Sequence, residues 1–184
     1  MRLLRFLSFL LLLAALPAMA QSDATTQNSG IYLIFSSTSF SMPGSAEYNG
    51  ITLGGYDEVN LKKKLPFLNV GGDARFSVVQ VNQSGTSDGI DSYLIGPEIS
   101  FKTHVASLRP YAEVLFGGTY VSAGAGAYTT PAFPSKNYGE VAYIGGLDWK
   151  LMSRLVWRIP EVNYGTFGGM STTTFSTGLV LRLP

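Results

Sequence analysis

The sequence predicts an all-β fold, an eight-stranded antiparallel up-and-down transmembrane β-barrel, and three observations carry that prediction. Charged residues make up only 14% of the 184, where a soluble chain has about a quarter. Hydrophobic residues reach 46%, yet beyond residue 20 no window sustains the 3.6-residue apolar period of an amphipathic helix. Instead, long segments alternate every second residue and are bounded by clusters of Gly, Pro, Ser and Asn, which is the pattern of strands joined by turns.

The same figures exclude other classes. Disorder needs low hydrophobicity and high charge, and a nucleic-acid binder needs a basic surplus that Lys+Arg 13 against Asp+Glu 12 does not supply. The absence of cysteine removes disulfide frameworks, thiolate metal sites, a Cys nucleophile and lipid attachment at cysteine.

The first element, residues 1–20, reads as a cleaved signal peptide. Arg2 and Arg5 precede an apolar run from Phe6 to Ala20 that closes on Ala18-Met19-Ala20 before the polar Gln21-Ser22-Asp23. A positive start, a short apolar stretch and an Ala-x-Ala site direct export, with cleavage between Ala20 and Gln21. The run is too short for a membrane-spanning helix and holds Pro17. Cleavage removes two basic residues and turns the net charge from +1 to −1. Residues 21–30 are expected to be a flexible lead into a barrel over 31–184.

Eight strand segments follow in order: Ile31 to Phe40, Ile51 to Lys62, Leu68 to Val81, Ile90 to Phe101, Leu108 to Val121, Tyr138 to Leu151, Leu155 to Tyr164 and Thr173 to Leu183. They exceed the five or six residues of an ordinary strand and suit the roughly 9 to 11 that a tilted strand needs to cross a bilayer. The connections fall into two alternating sets. Short ones run Lys63 to Phe67, Lys102 to Ser107 and Met152 to Arg154. Longer ones lie around Met42 to Ser45, Ser84 to Gly89, Ser122 to Lys136 and Gly165 to Ser171. Short turns at one end and longer loops at the other is the outer-membrane layout.

Each strand has a greasy face and a mixed face. The third sets Val70, Ala74, Phe76 and Val78 against Asn69, Gly71, Asp73 and Arg75. The fourth sets Tyr93, Ile95, Pro97, Ile99 and Phe101 against Ser92, Gly96, Glu98 and Ser100, and the fifth sets Ala112, Val114 and Phe116 against Arg109, Tyr111 and Glu113. The sixth opposes Val141, Tyr143, Leu147 and Trp149 to Glu140, Gly146 and Asp148, and the last opposes Phe175, Thr177, Leu179, Leu181 and Leu183 to Ser176, Gly178, Val180 and Arg182. Glycines and opposite charges suit a crowded lumen, because a charge withdrawn from water is tolerated when paired. The expected lumen charge network is Glu58, Asp73, Arg75, Glu98, Arg109, Glu113, Asp148 and Arg182, with Glu140 a further candidate. Two strands resist the alternation. Asp57 falls on the greasy parity of the second, and Arg158 and Glu161 of the seventh share a face only if Pro160 marks a bulge.

Aromatics near the strand ends fit interfacial girdles, Phe67, Phe101, Trp149 and Trp157 at the short-turn end and Tyr120, Tyr138, Tyr164 and Phe167 at the other. Catalytic chemistry is sparse. His104 is the one histidine, so no multi-imidazole metal site is expected, and it would have to activate Ser107 or Ser100 for a lipid hydrolase to exist. Gly124-Ala125-Gly126 lacks the third glycine of a dinucleotide loop. No catalytic residue, cofactor or metal is expected.

Three stretches resemble a known family: Arg109-Pro110-Tyr111-Ala112-Glu113-Val114-Leu115-Phe116-Gly117; Gly145-Gly146-Leu147-Asp148-Trp149-Lys150-Leu151 with Arg158-Ile159-Pro160-Glu161-Val162-Asn163-Tyr164; and Phe175 to Leu183. They are similar to the small bacterial outer-membrane β-barrel domains of the outer membrane protein A type. The resemblance implies eight strands and insertion by the barrel-assembly machinery, which reads the last strand, commonly through a terminal aromatic; this chain ends Leu183-Pro184. The expected function is a non-enzymatic outer-membrane barrel with a side-chain-filled lumen and a structural or surface-interaction role. Outer-membrane lipids are its surroundings, no nucleic acid binds, and a monomer is expected. The alternatives are a narrow porin-like channel, a soluble periplasmic barrel with an apolar ligand, and a lipid-modifying enzyme.

Overall fold

The computed structural model describes residues 27–40, 48–61, 65–83, 86–103, 107–122 and 136–183. The expected signal peptide with its expected cleavage site at Ala20 and Gln21, and His104, lie outside the described residues. The strands are β1 (Gln27–Phe40), β2 (Tyr48–Asn60), β3 (Leu68–Gln83), β4 (Thr86–Phe101), β5 (Leu108–Ser122), β6 (Lys136–Lys150), β7 (Leu155–Phe167) and β8 (Met170–Arg182). Each pairs antiparallel with the next, and β1 pairs with β8 from Gly30↔Arg182 to Phe40↔Thr172, closing the barrel.

The two faces sort as their chemistry dictates. Ile31, Leu33 and Phe35 of β1, Tyr93, Ile95 and Ile99 of β4, and Phe175, Leu179 and Leu181 of β8 are exposed on the outside. Their inward neighbours Tyr32, Ile34, Glu98 and Val180 are buried. An apolar exterior around a charged interior is the inverse of a soluble barrel and matches one surrounded by lipid.

Several expectations need correction. β1 begins at Gln27, not Ile31, with Gln27↔Val59 and Ser29↔Asp57 in the β1–β2 ladder. Two of the four connections expected to be long are tight. β3 and β4 pair out to Gln83↔Thr86, and β7 and β8 out to Phe167↔Met170. Gly168 and Gly169 turn the second of these with φ of 57° and 83°, a left-handed pair that suits the twist of a two-residue hairpin and favours glycine. Ser, Thr and Gly there look like loop on composition, but a strand reaching past the lipid carries polar residues on both faces. With strands of 13 to 16 residues, and about 9 to 11 needed to span, such an extension is required.

The conflict in β7 is settled by a bulge. Between Arg158 and Glu161 the register shifts against β8 and, between Gly145 and Leu147, against β6. One extra residue in β7 turns both Arg158 and Glu161 inward, where each is buried. Pro160 has no N–H to donate, so the interruption costs the ladder little there.

Glycines make slots for lumen tyrosines. Tyr32 lies across from Gly54, Tyr56 from Gly30 and Tyr111 from Gly146. A Cβ on Gly54 would meet the Tyr32 ring at 2.3 Å, and one on Gly146 the Tyr111 hydroxyl at 2.3 Å. The absent side chain on one strand is the space the ring occupies on the next.

The girdle is partly as expected. Trp149 and Trp157 are cross-strand partners at the short-turn end, stacked with centroids 6.1 Å apart, and the Trp157 indole donates to Thr177 at 3.0 Å. Tyr164 is exposed at the other end. Phe167 is not a girdle residue; it is buried, because the bulge in β7 turns its side chain inward.

Candidate functional site in the barrel lumen

The lumen is filled in layers, best followed from the short-turn end. The first is neutral. Asn60 of β2 donates to Asn69 of β3 at 2.5 Å, and Asn69 to Ser100 of β4 at 3.1 Å. Ser100 is therefore engaged with an amide.

Above it, Arg109 of β5 reaches across the lumen. Its Nη1 donates to Glu58 at 2.5 Å and its Nη2 to Asp148 at 2.6 Å, with Glu98 at 3.6 Å from the same Nη2. Arg158 of β7 donates through Nε to the second Asp148 oxygen at 3.0 Å. The Arg158 guanidinium lies over the rings of Tyr111 and Tyr32 at 4.3 and 4.5 Å, and that of Arg109 over Tyr56 at 4.6 Å. Stacking on aromatic faces suits a planar, weakly hydrated cation held away from water.

The third layer is centred on Arg75 of β3, which donates to Asp73 at 3.1 Å, to Glu161 at 2.9 Å and to Glu113. Tyr32 donates to the Asp73 carboxylate, 2.8 Å from each oxygen, and Tyr111 to Glu161 at 2.7 Å.

The last layer is neutral again except for Glu140. Thr52 and Ser77, Thr38 and Thr174, and Ser92 and Thr119 bond across adjacent strands at 2.7, 2.9 and 3.0 Å, and Thr119 also donates to Glu140. All of these hydroxyls but that of Thr119 line a cavity of about 40 Å³, which Arg75 and Glu161 line as well, enough for a few ordered waters.

Of the residues expected in the network, Glu58, Asp73, Arg75, Glu98, Arg109, Glu113 and Asp148 are all buried and lie together in these layers. Arg182 does not join them. It sits half-buried near the rim beside Gly30, makes no ion pair among the described residues, and its Nε has no hydrogen-bond partner. As the final residue of β8, it is carried to the barrel mouth. Arg158 and Glu161 are full members, and the parity conflict around Pro160 was the signal that could reveal them. Tyr32 and Tyr56 escaped notice because a tyrosine suits either face of a strand. Asp57, which breaks the alternation of β2, is half-buried and accepts a hydrogen bond from Ser29 at 2.8 Å.

With this geometry in place, comparison with solved structures is informative. The crystal structure of Neisserial surface protein A superposes with a TM-score of 0.59 at 12% identity, covering 88% of this chain and 100% of the other. Ail, the attachment invasion locus protein of Yersinia pestis, gives 0.56 at 14% identity over 88% and 100%. The outer membrane protein OprG of Pseudomonas aeruginosa gives 0.50 at 11% identity over 87% and 97%. The fold is that of a small transmembrane β-barrel. At these identities the likeness extends to the fold alone. No family model matches the sequence, and no curated protein matches it either.

Proposed function

We propose that this is a non-enzymatic outer-membrane barrel, exported through a cleaved signal, whose lumen is closed and whose biological contacts are made by the two longer connections, β1 to β2 and β5 to β6. The observation that carries the reading is the double plug of Arg75 and Arg158 with their carboxylates and tyrosines, each guanidinium no more than 2% exposed. An eight-stranded barrel is just wide enough to be filled by side chains, and here the filling is held by ion pairs from six strands. A charged interior is a poor bed for an apolar ligand, which argues against a soluble carrier. The lipid-hydrolase alternative would need Ser107 or Ser100 as a nucleophile beside His104, and Ser100 is buried in the lumen against Asn69, away from the lipid.

The expected result is a protein that fractionates with membranes, migrates differently on gels before and after heating, and gives no conductance steps in planar bilayers. Discrete conductance would instead establish a diffusion channel, and recovery in the soluble fraction without detergent would establish a periplasmic carrier. Unchanged lipid turnover on His104→Ala is expected as well.

A further inference from the structure

The lumen holds more negative than positive charge. Six carboxylates, Glu58, Asp73, Glu98, Glu113, Asp148 and Glu161, share three guanidiniums, Arg75, Arg109 and Arg158, and all nine are buried. The excess is gathered in one place. Glu98 of β4 and Glu113 of β5 are direct cross-strand partners, a like-charge pairing that is destabilising by itself. Asp73 of β3 completes a group in which one oxygen from each residue lies within 4.8 Å of the other two.

The acceptors in this group are unevenly used. Both Asp73 oxygens accept from Tyr32, and Glu113 Oε2 from Arg75. Glu98 is fully buried, and among the described residues neither of its oxygens has a hydrogen-bond partner, nor has Glu113 Oε1. Arg109, whose Nη2 is 3.6 Å from Glu98, spends that nitrogen on Asp148 at 2.6 Å. Three buried acceptors without donors, on two carboxylates that with Asp73 bring an oxygen each within 4.8 Å of one another, leave a deficit that a donor or a cation must fill.

The geometry points to a calcium-type divalent cation held by Glu98, Glu113 and Asp73. The donors are all carboxylate oxygens, the set that hard cations take. Three points no more than 4.8 Å apart have a centre no more than about 2.8 Å from any of them, which accommodates the 2.3–2.6 Å of calcium, while magnesium, which keeps several of its waters, is poorly served by a cage of protein carboxylates. Glu98 supplies both of its free oxygens, Glu113 its Oε1 and Asp73 an oxygen oriented by Tyr32. The ion joins three consecutive strands and neutralises the Glu98–Glu113 opposition. On the short-turn side, the Asn60, Asn69 and Ser100 layer offers a polar approach.

The test uses the full mature barrel refolded in detergent micelles. Terbium(III), a calcium surrogate, should give tyrosine-sensitised luminescence through Tyr32, displaced by calcium more effectively than by magnesium. A hundredfold excess of calcium over its Kd should raise the thermal midpoint by about 5 °C or more relative to chelator. Glu98→Gln should abolish both effects while melting higher than the wild type in chelator. Absence of terbium and calcium binding to the wild type would overturn the inference and leave a shared proton as the balancing charge. Equal effects in Glu98→Gln would overturn it too, by placing the ion elsewhere. If Glu98→Gln does not fold, Glu113→Gln takes its place, and the wild-type binding data decide in either case.

Discussion

Arg75→Met is expected to cost the folded barrel about 3–5 kcal/mol, the range for removing one partner from a buried ion pair. Arg75 is the common donor to Asp73, Glu113 and Glu161, which lie on β3, β5 and β7. Its removal leaves two of those carboxylates with a tyrosine donor each, Tyr32 and Tyr111, and Glu113 with none recorded among the described residues. Methionine approximates the lost volume, so the loss reports charge and not a cavity. Urea unfolding in micelles, followed by tryptophan fluorescence, measures it. The triple variant Arg75→Met, Glu113→Gln, Glu161→Gln should recover most of the loss, because neutral groups need no countercharge. If the single variant proves as stable as the wild type, the network is not what holds the lumen together.

Gly117→Val should prevent the barrel from closing. Gly117 of β5 pairs with Leu94 of β4, and a Cβ there would lie 1.9 Å from the Tyr93 carbonyl oxygen and 3.0 Å from the Leu94 Cα. These are backbone atoms of the neighbouring strand, which no rotamer change can move. The strands must separate where the ladder runs, at a cost above the roughly 1–3 kcal/mol of ordinary overpacking. The heat-modifiable band formed on refolding should fall to a small fraction of the wild-type yield. Gly139→Ala is the matched control, since a Cβ at Gly139 meets nothing within 4 Å, and it should refold normally. Normal refolding of Gly117→Val would show that β4 and β5 do not approach so closely.

Much of this architecture was legible in the sequence, for physical reasons that also explain what was not. The two-residue period survives wherever one face meets lipid and the other the lumen, so all eight strands and the inward set from Asp73 to Asp148 could be read. Strand ends were misjudged, as at Gln27 and Met170, because beyond the membrane both faces are polar and the period fades. Arg158 and Glu161 broke the period through a bulge, and the break itself was the clue. Tyr32 and Tyr56 were recognisable only with the register known, when each faces a glycine across the ladder. The grouping of Asp73, Glu98 and Glu113 likewise depends on three strands being adjacent, which spacing along the chain does not display. Arg182 had the right parity and the wrong height.

The central claim is that the greasy face meets lipid while the charged face is enclosed, and β8 offers a direct measurement. The chain has no native cysteine, so a single introduced one carries a fluorophore without ambiguity. Leu179 is exposed on the outer face, and Ser176 lines the inner cavity. Gly178 is a poor inward site, since a Cβ there would lie 2.2 Å from the Leu33 carbonyl oxygen. In vesicles with brominated acyl chains, a label on Leu179→Cys should be strongly quenched and one on Ser176→Cys nearly unaffected. Quenching at Ser176 with none at Leu179 would reverse the two faces and contradict the account.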